Sequence, residues 1–420
     1  MNYPRALLPI IRSELTLKSL CPLLFIMPLL FTACSKRPSK PAPKTEKHVI
    51  VPDRQLSHRL DSVLHRIEWG NHVAVYIYDI TADAPLFAFR ADSLMPPASC
   101  LKLLTGIAML KRMGPEYSYA TGLYTRGKIK GDTLQGDLIF RGSMDPVFKP
   151  EELHLIFRPM QKRGIRHLTG HLVINLAHDE FPTPEPHWYP GDLAMYQYGL
   201  YYQHRDKIRR LVKAAARSYG LTVRDSAVVF GPLPRDNHKL YVFKRQMTFS
   251  LRRAWKNSSN TVSNGLLYTL GTTQYDGRSY RQSGVRVLRQ FVKEELGDTT
   301  SRYVIHDGCG LCSQDRVTPV FLVNLLRYAQ RDKKLYAYML HYLPISGVDG
   351  TLRRQMPAPA TRGKVIAKTG TLSHPYGIST LAGYVTGANG HLLAFAIMNA
   401  DMSVLDARPL QNKLCAEMVK

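Results

Sequence analysis

Cysteine is scarce: six in 420 residues, with Cys21 and Cys34 in the leading segment and only Cys100, Cys309, Cys312 and Cys415 in the body. That count excludes a disulfide-dense scaffold. Cys309-Gly310-Leu311-Cys312 has the spacing of a redox motif or half a zinc site, but no second cysteine pair or nearby Cys/His set completes it. The expectation is two small packing residues or a local disulfide, with no metal. Acidic residues are also few, 32 against 57 Lys and Arg, for a formal net charge of +25. The basic residues are spread along the chain rather than gathered into an arm or one helix. That spread argues against nucleic acid as partner and for an anionic envelope polymer or a membrane surface. No internal repeat is apparent.

Long apolar runs are missing as well. The longest near the start, residues 20–31, is too short for a comfortable transmembrane helix. Arg5, Arg12 and Lys18 precede it and Thr32-Ala33-Cys34 closes it, so residues 1–34 read as an export signal. Small residues before a cysteine resemble a lipoprotein cleavage box, in which Cys34 would be lipidated. An ordinary secretory signal and an uncleaved anchor are the other readings. Residues 35–48 are basic and proline-rich without apolar periodicity, the composition of a tether. Export to the periplasm, with a membrane anchor at Cys34, is the expectation.

What remains is a body long enough for about two domains. Leu56, Leu60, Val63, Leu64 and Ile67 recur at helical spacing over 53–68, and residues 72–78 alternate like a strand. A strand over 86–89 leads to a helix over 99–113 that stops at Gly114-Pro115. From about residue 119 the texture changes to short strands between glycine and proline turns, which predicts an insert over 119–244. It carries one helix over 205–218 with a solvated basic face. Helical patterning resumes over 250–270 and 318–330, followed by strands over 365–368, 379–385 and 392–399 and a terminal helix from about residue 404. Strands from both ends of the chain can then share one sheet with helices packed on it, an α/β arrangement.

Three short motifs carry the chemistry. In Ser99-Cys100-Leu101-Lys102 the serine and lysine are three apart, so on a helix they share a face. A lysine kept from solvent by Leu101, Leu103, Leu104 and Ile107 can take the serine proton. In Ser258-Ser259-Asn260, a polar break between helix-like runs, a hydroxyl and an amide can both face a groove if the backbone between them turns, one relaying a proton and the other orienting substrate. Lys368-Thr369-Gly370-Thr371 follows strand-like residues, so Gly370 lets a substrate chain approach the strand edge while lysine and threonine meet its carboxylate. Each motif alone is common. Their order and long separations make them specific.

The chain resembles the D-alanyl-D-alanine carboxypeptidase/endopeptidases of the low-molecular-mass class C penicillin-binding proteins. Beyond the three motifs the likeness includes Gly136 to Pro146, His306 to Leu311, and Leu343 to Leu352. It implies a serine β-lactamase-like, penicillin-binding transpeptidase-like domain, an antiparallel sheet with a helical cluster, over 49–118 and 245–420. A β-rich insert over 119–244 interrupts that domain. It also implies a serine peptidase that cleaves D-alanyl bonds in peptidoglycan stem peptides through an acyl-enzyme, is acylated by β-lactams, and needs no cofactor.

Residue by residue, the resemblance implies that Ser99 is the nucleophile and Lys102 its base. Ser258 passes a proton to the leaving amine, Asn260 holds the peptide amide, and Lys368, Thr369 and Thr371 bind the terminal carboxylate beside Gly370. The N–H groups of Ser99 and Thr371 form the oxyanion hole. Relatives place an arginine where this chain has Ser313 after Cys312, so the grip on a diaminopimelate carboxylate is missing. Asp192 matches the acidic residue near that side chain's amine. Ser259 stands where aspartate or asparagine is usual and points away from substrate, and His374 is a rim residue. Two other functions compete, a catalytically weak peptidoglycan-binding lipoprotein and a β-lactamase. The intact motifs oppose the first, and the lack of a glutamate-bearing loop or second-motif tyrosine opposes the second.

Overall fold

Helix α1 (Arg54–Leu64) forms because Leu56, Leu60, Val63 and Leu64 fall on one buried face and the Asp53 side chain caps the first turn, accepting from Leu56 N at 2.9 Å. A computed structural model describes residues 50–65, 69–178, 180–188, 197–277, 279–298, 302–373 and 377–420. After α1 come β1 (Val73–Asp79) and β2 (Ala84–Phe89), then a 3-10 turn at Ala98–Leu101 that runs into α2 (Lys102–Met113). Five antiparallel strands make the main sheet in the order β2-β1-β11-β10-β9, where β9 is Val365–Leu372, β10 Ile378–Thr386 and β11 Leu392–Asn399. The two ends of the chain meet in its middle, with Val73 opposite Asn399 and Asp79 opposite Leu393.

The sheet is buried on both faces, which is why β11 is apolar almost throughout. Val73, Val75, Ile77, Phe395 and Ile397 face α1 and the terminal helix α10 (Val404–Val419). Ala74, Ala394, Ala396 and Met398, one residue out of phase, face the helical cluster. That cluster holds α2, α5 (Met247–Lys256), α6 (Asn260–Gly271), α7 (Tyr280–Glu295), α8 (Pro319–Arg331) and α9 (Lys333–Tyr342). At its centre Trp255 packs so closely on α2 that a β-carbon on Gly106 would lie 2.4 Å from the indole.

A second sheet, of six strands, lies wholly within residues 118–246. Its strands are β3 (Ser118–Lys130), β4 (Thr133–Arg141), β5 (His167–Leu168), β6 (Leu172–Asn175), β7 (Val228–Phe230) and β8 (His238–Gln246). β3 pairs antiparallel with β4 and β8, whereas β5 and β6 run parallel to β4 and β7 runs parallel to β6. Helices α3 (Leu153–Lys162) and α4 (Arg205–Ser218) cover it with their apolar stripes. This part is seated on the helical cluster: a β-carbon on Gly265 of α6 would lie 2.4 Å from Pro146. Residues 49–420 accordingly form one compact unit. No helix among the described residues is long and apolar enough to cross a membrane.

Two expectations change. The helical stretch over 250–270 is two helices, broken at Asn257-Ser258-Ser259. Ser99 sits on the 3-10 turn, and the α-helix begins only at Lys102.

Candidate active site

The 3-10 turn is decisive for the first motif, since residues three apart eclipse one another in that geometry. Lys102 Nζ lies 2.7 Å from Ser99 Oγ, 2.8 Å from Asn260 Oδ1 and 2.6 Å from the Cys309 carbonyl oxygen. Burial lowers the Lys102 pKa. Nζ donates to all three oxygens; once neutral it keeps two N–H donors for Asn260 Oδ1 and the Cys309 carbonyl and turns its lone pair to Ser99 Oγ. That count makes the amine competent to receive the Ser99 proton. The lysine backbone is held too, its carbonyl accepting from Trp255 Nε1 at 2.7 Å.

Backbone strain and two glycines position the serine. Ala98 has φ +43°, a left-handed conformation that is costly with a side chain. Against it lies Gly310, at φ +76°, where a β-carbon would sit 1.8 Å from the Ala98 carbonyl oxygen. On the strand side, a β-carbon on Gly370 would be 2.6 Å from the Pro97 carbonyl oxygen and 3.1 Å from Ser99 N. Both close approaches require glycine.

Ser258 explains the helix break. Its φ of +56° turns the chain between α5 and α6, and the next residue, Ser259, caps α6 by accepting from Val262 N. Ser259 therefore serves the helix end, while Ser258 Oγ accepts from Lys368 Nζ at 2.8 Å and Asn260 reaches Lys102. Lys368 is fully buried; burial first, then the nearby Lys102 charge, bring its pKa down to about 7. Its strand, β9, is the last of the sheet, so the Lys368–Thr371 segment lies at an edge.

Several contributors lie in the stretches of likeness at His306 to Leu311 and Leu343 to Leu352, where the sequence assigns no residue a role of its own. Thr351 Oγ1 lies 2.7 Å from Thr369 Oγ1. The turn bearing Thr351 is tied down by Asp349, which accepts from Lys256 Nζ at 2.8 Å and Ile345 N at 2.9 Å. Asp307 organises the loop that supplies the Cys309 carbonyl. Its carboxylate accepts from the N–H groups of Cys309, Gly310, Leu311 and Cys312 and from Trp188 Nε1 at 2.7 Å. An aspartate just before a Gly-rich stretch is the one local signal for such a turn.

Cys309 and Cys312 are buried free thiols, so the disulfide alternative is set aside in favour of packing. Burial raises both of their pKa values. The expectation that no Cys/His set lies near Cys312 is overturned by the fold, which brings Glu185, His187 and His306 to it. Cys34, Asp192 and His374 lie outside the described residues.

A serine paired with a buried lysine, a second lysine on a strand edge, and a sheet backed by helices define an acyl-transferring serine hydrolase site of the penicillin-recognising kind. Comparison with known proteins agrees. The chain is 21% identical over 421 residues to the D-alanyl-D-alanine carboxypeptidase DacB of Haemophilus influenzae, covering 80% of this chain and 87% of that one. It is 24% identical over 461 residues to the D-alanyl-D-alanine carboxypeptidase of an Actinomadura species, covering 84% and 83%. The crystal structure of penicillin-binding protein 4 from Haemophilus influenzae superposes with a TM-score of 0.72 at 19% identity, covering 85% of this chain and 97% of that one. Residues 56–199 and 202–417 match the D-Ala-D-Ala carboxypeptidase 3 (S13) family, and the chain belongs to that family. It is a serine peptidase of the cell-wall class.

Proposed function

We propose that Ser99 is the residue acylated during cleavage of D-alanyl bonds in peptidoglycan stem peptides. Lys102 takes the serine proton as Oγ attacks the penultimate D-alanine carbonyl. The C–N bond breaks, Ser258 with Lys368 behind it delivers a proton to the departing amine, and an ester to Ser99 remains. Water then attacks the ester, the acid leaves, and the serine proton is restored. N–H groups of Ser99 and Thr371 hold the developing oxyanion, a contribution of about 3 kcal/mol per donor in other hydrolases. Asn260 orients the peptide, and Lys368, Thr369 and Thr371 receive its terminal carboxylate.

The observation that carries this reading is the Lys102 amine, saturated by Ser99, Asn260 and Cys309 at 2.6–2.8 Å. Mass analysis of purified muropeptides after digestion tests it: loss of one D-alanine marks carboxypeptidase action, and conversion of crosslinked dimers to monomers marks endopeptidase action. Neither product, or both products still formed by Ser99→Ala, would refute it. A related endopeptidase from Bdellovibrio bacteriovorus shares the fold at a TM-score of 0.55 and 16% identity, covering 78% of this chain and 86% of that one.

Residues 119–244 are proposed as an inserted domain and Asp192 as a contact to the stem-peptide side chain, in the absence of an arginine at Ser313. For location, the reading is the periplasm, with Cys34 lipidated and residues 35–48 as tether. The +25 charge suits an anionic envelope. Cys34→Ala should move the protein from the membrane to the soluble fraction of lysed cells; unchanged partitioning would remove the anchor.

A further inference from the structure

Beside the loop that holds Lys102, four side chains from two distant stretches of chain converge. Donor atoms of Glu185, His187, His306 and Cys312 all lie within 4.8 Å of one another. The Glu185 carboxylate is buried and accepts from His187 Nδ1 at 2.8 Å and from the His187 N–H at 2.8 Å. His306 Nδ1 is 3.8 Å from the same carboxylate, and Cys312 Sγ lies within 4.8 Å of its ligand oxygen. From this convergence we infer that Glu185, His187, His306 and Cys312 form a zinc(II) site.

The donor chemistry selects the metal. One thiolate, two imidazoles and one carboxylate are the ligands of a four-coordinate zinc ion, whereas the hard cations calcium and magnesium bind all-oxygen sites. Zinc bonds of about 2.0–2.3 Å put tetrahedral donors roughly 3.3–3.7 Å apart. Side-chain rotations of about an ångström therefore close the set. Two negative ligands balance the ion's charge, which suits a site half shielded from water: Glu185 and Cys312 are buried, while the side chains of His187 and His306 are 47% and 31% exposed. The exposed rings leave the ion a way in.

The supports of a metal site are present as well. Trp188, next to His187, is bonded to Asp307 at 2.7 Å. Asp307 gathers the N–H groups up to Cys312, and His306 N is held by Asp315 at 2.8 Å. These contacts fix the backbone of both ligand segments before any ion arrives. The Glu185–His187 hydrogen bonds account for the carboxylate without a metal, but they leave the nearby His306 ring and Cys312 thiol without a role in the cluster. With zinc bound, Cys312 gives up its proton and the ion joins residues 185–187 to the loop carrying the Cys309 carbonyl. The site is then structural, and it rests on none of the acyl-enzyme chemistry.

Cobalt(II) titration of tag-free full-length protein, stripped by a chelator and then dialysed free of it, is the test. The expected result is saturation at about one ion per chain with a thiolate-to-cobalt charge-transfer band and tetrahedral visible bands, reversed by zinc. Cys312→Ser should lose the charge-transfer band, and His187→Ala should weaken binding by about tenfold or more. The His187 ring is on the surface, so that variant decides the matter if Cys312→Ser fails to fold. No stoichiometric binding by the parent, or binding unaltered in His187→Ala, would overturn the assignment.

Discussion

Lys368 Nζ hydrogen-bonds Ser258 Oγ at 2.8 Å, from a position with no solvent exposure. The pair joins a sheet edge to a helix break, and it places an ionisable amine where its charge is unwelcome. With its pKa at about 7 against the ordinary 10.5, the folded chain has lost a proton that the unfolded chain keeps over that interval. Stability contributed at this position therefore rises with pH from about 7 to 10.5. Lys368→Met should raise the melting temperature most at and below the lower end of that window, with the gain shrinking towards the upper end. A gain independent of pH would contradict the shift.

Lys102 offers a sharper chemical test. An amine that must be neutral to accept the Ser99 proton makes acylation by penicillin rise with pH as Lys102 deprotonates. Lys102→Ala should cost about 10²–10⁴-fold in acylation rate. Lys102→Arg should be no better, since a guanidinium stays protonated. Fluorescent-penicillin labelling kinetics read both, and a fast Lys102→Arg variant would remove the lysine as base.

Gly370→Ala forces a β-carbon to within 2.6 Å of the Pro97 carbonyl oxygen. Either the strand or the serine turn must give, at a cost of about 1–3 kcal/mol. Labelling should slow markedly while the melting temperature falls by only a few degrees. Parent-like labelling would show that the strand edge and Ser99 are not coupled as described.

Asp307→Asn keeps the shape of the side chain and removes its charge. Four loop N–H groups and Trp188 Nε1 lose a charged acceptor, each such bond being worth about 1.5–3 kcal/mol. Hydrogen exchange at residues 309–312 should accelerate, with slower acylation because the Cys309 carbonyl holds Lys102. Unchanged protection of those amides would refute the organising role of Asp307.

The strands and helices easiest to read were those with strong periodicity or continuous apolar runs: β11 and α4 have the expected limits, and β10 and α10 nearly so. A polar break at Ser258 to Asn260 is legible in the sequence, but its form is not, because a left-handed serine has no sequence signature and apolar spacing continues on both sides of it. Parallel pairing of β6 with β4 and β7 was hidden for another reason. Strands of three or four residues carry too little pattern to choose a partner. Within the site, motif order pointed to Ser99, Lys102, Ser258, Asn260 and Lys368, which the fold gathers. The third partner of Lys102 is a main-chain carbonyl, Cys309 O, and any residue could supply it. Glu185 and His187 stay silent until tertiary structure sets them beside His306 and Cys312.

Peptide mapping by mass spectrometry after brief exposure of the folded protein to benzylpenicillin tests the acyl-enzyme most directly. The expected result is one penicilloyl adduct on the peptide containing Ser99, absent from Ser99→Ala and much reduced in Lys102→Ala. An adduct on another residue, or one that persists in Ser99→Ala, would contradict the assignment of Ser99 as the nucleophile.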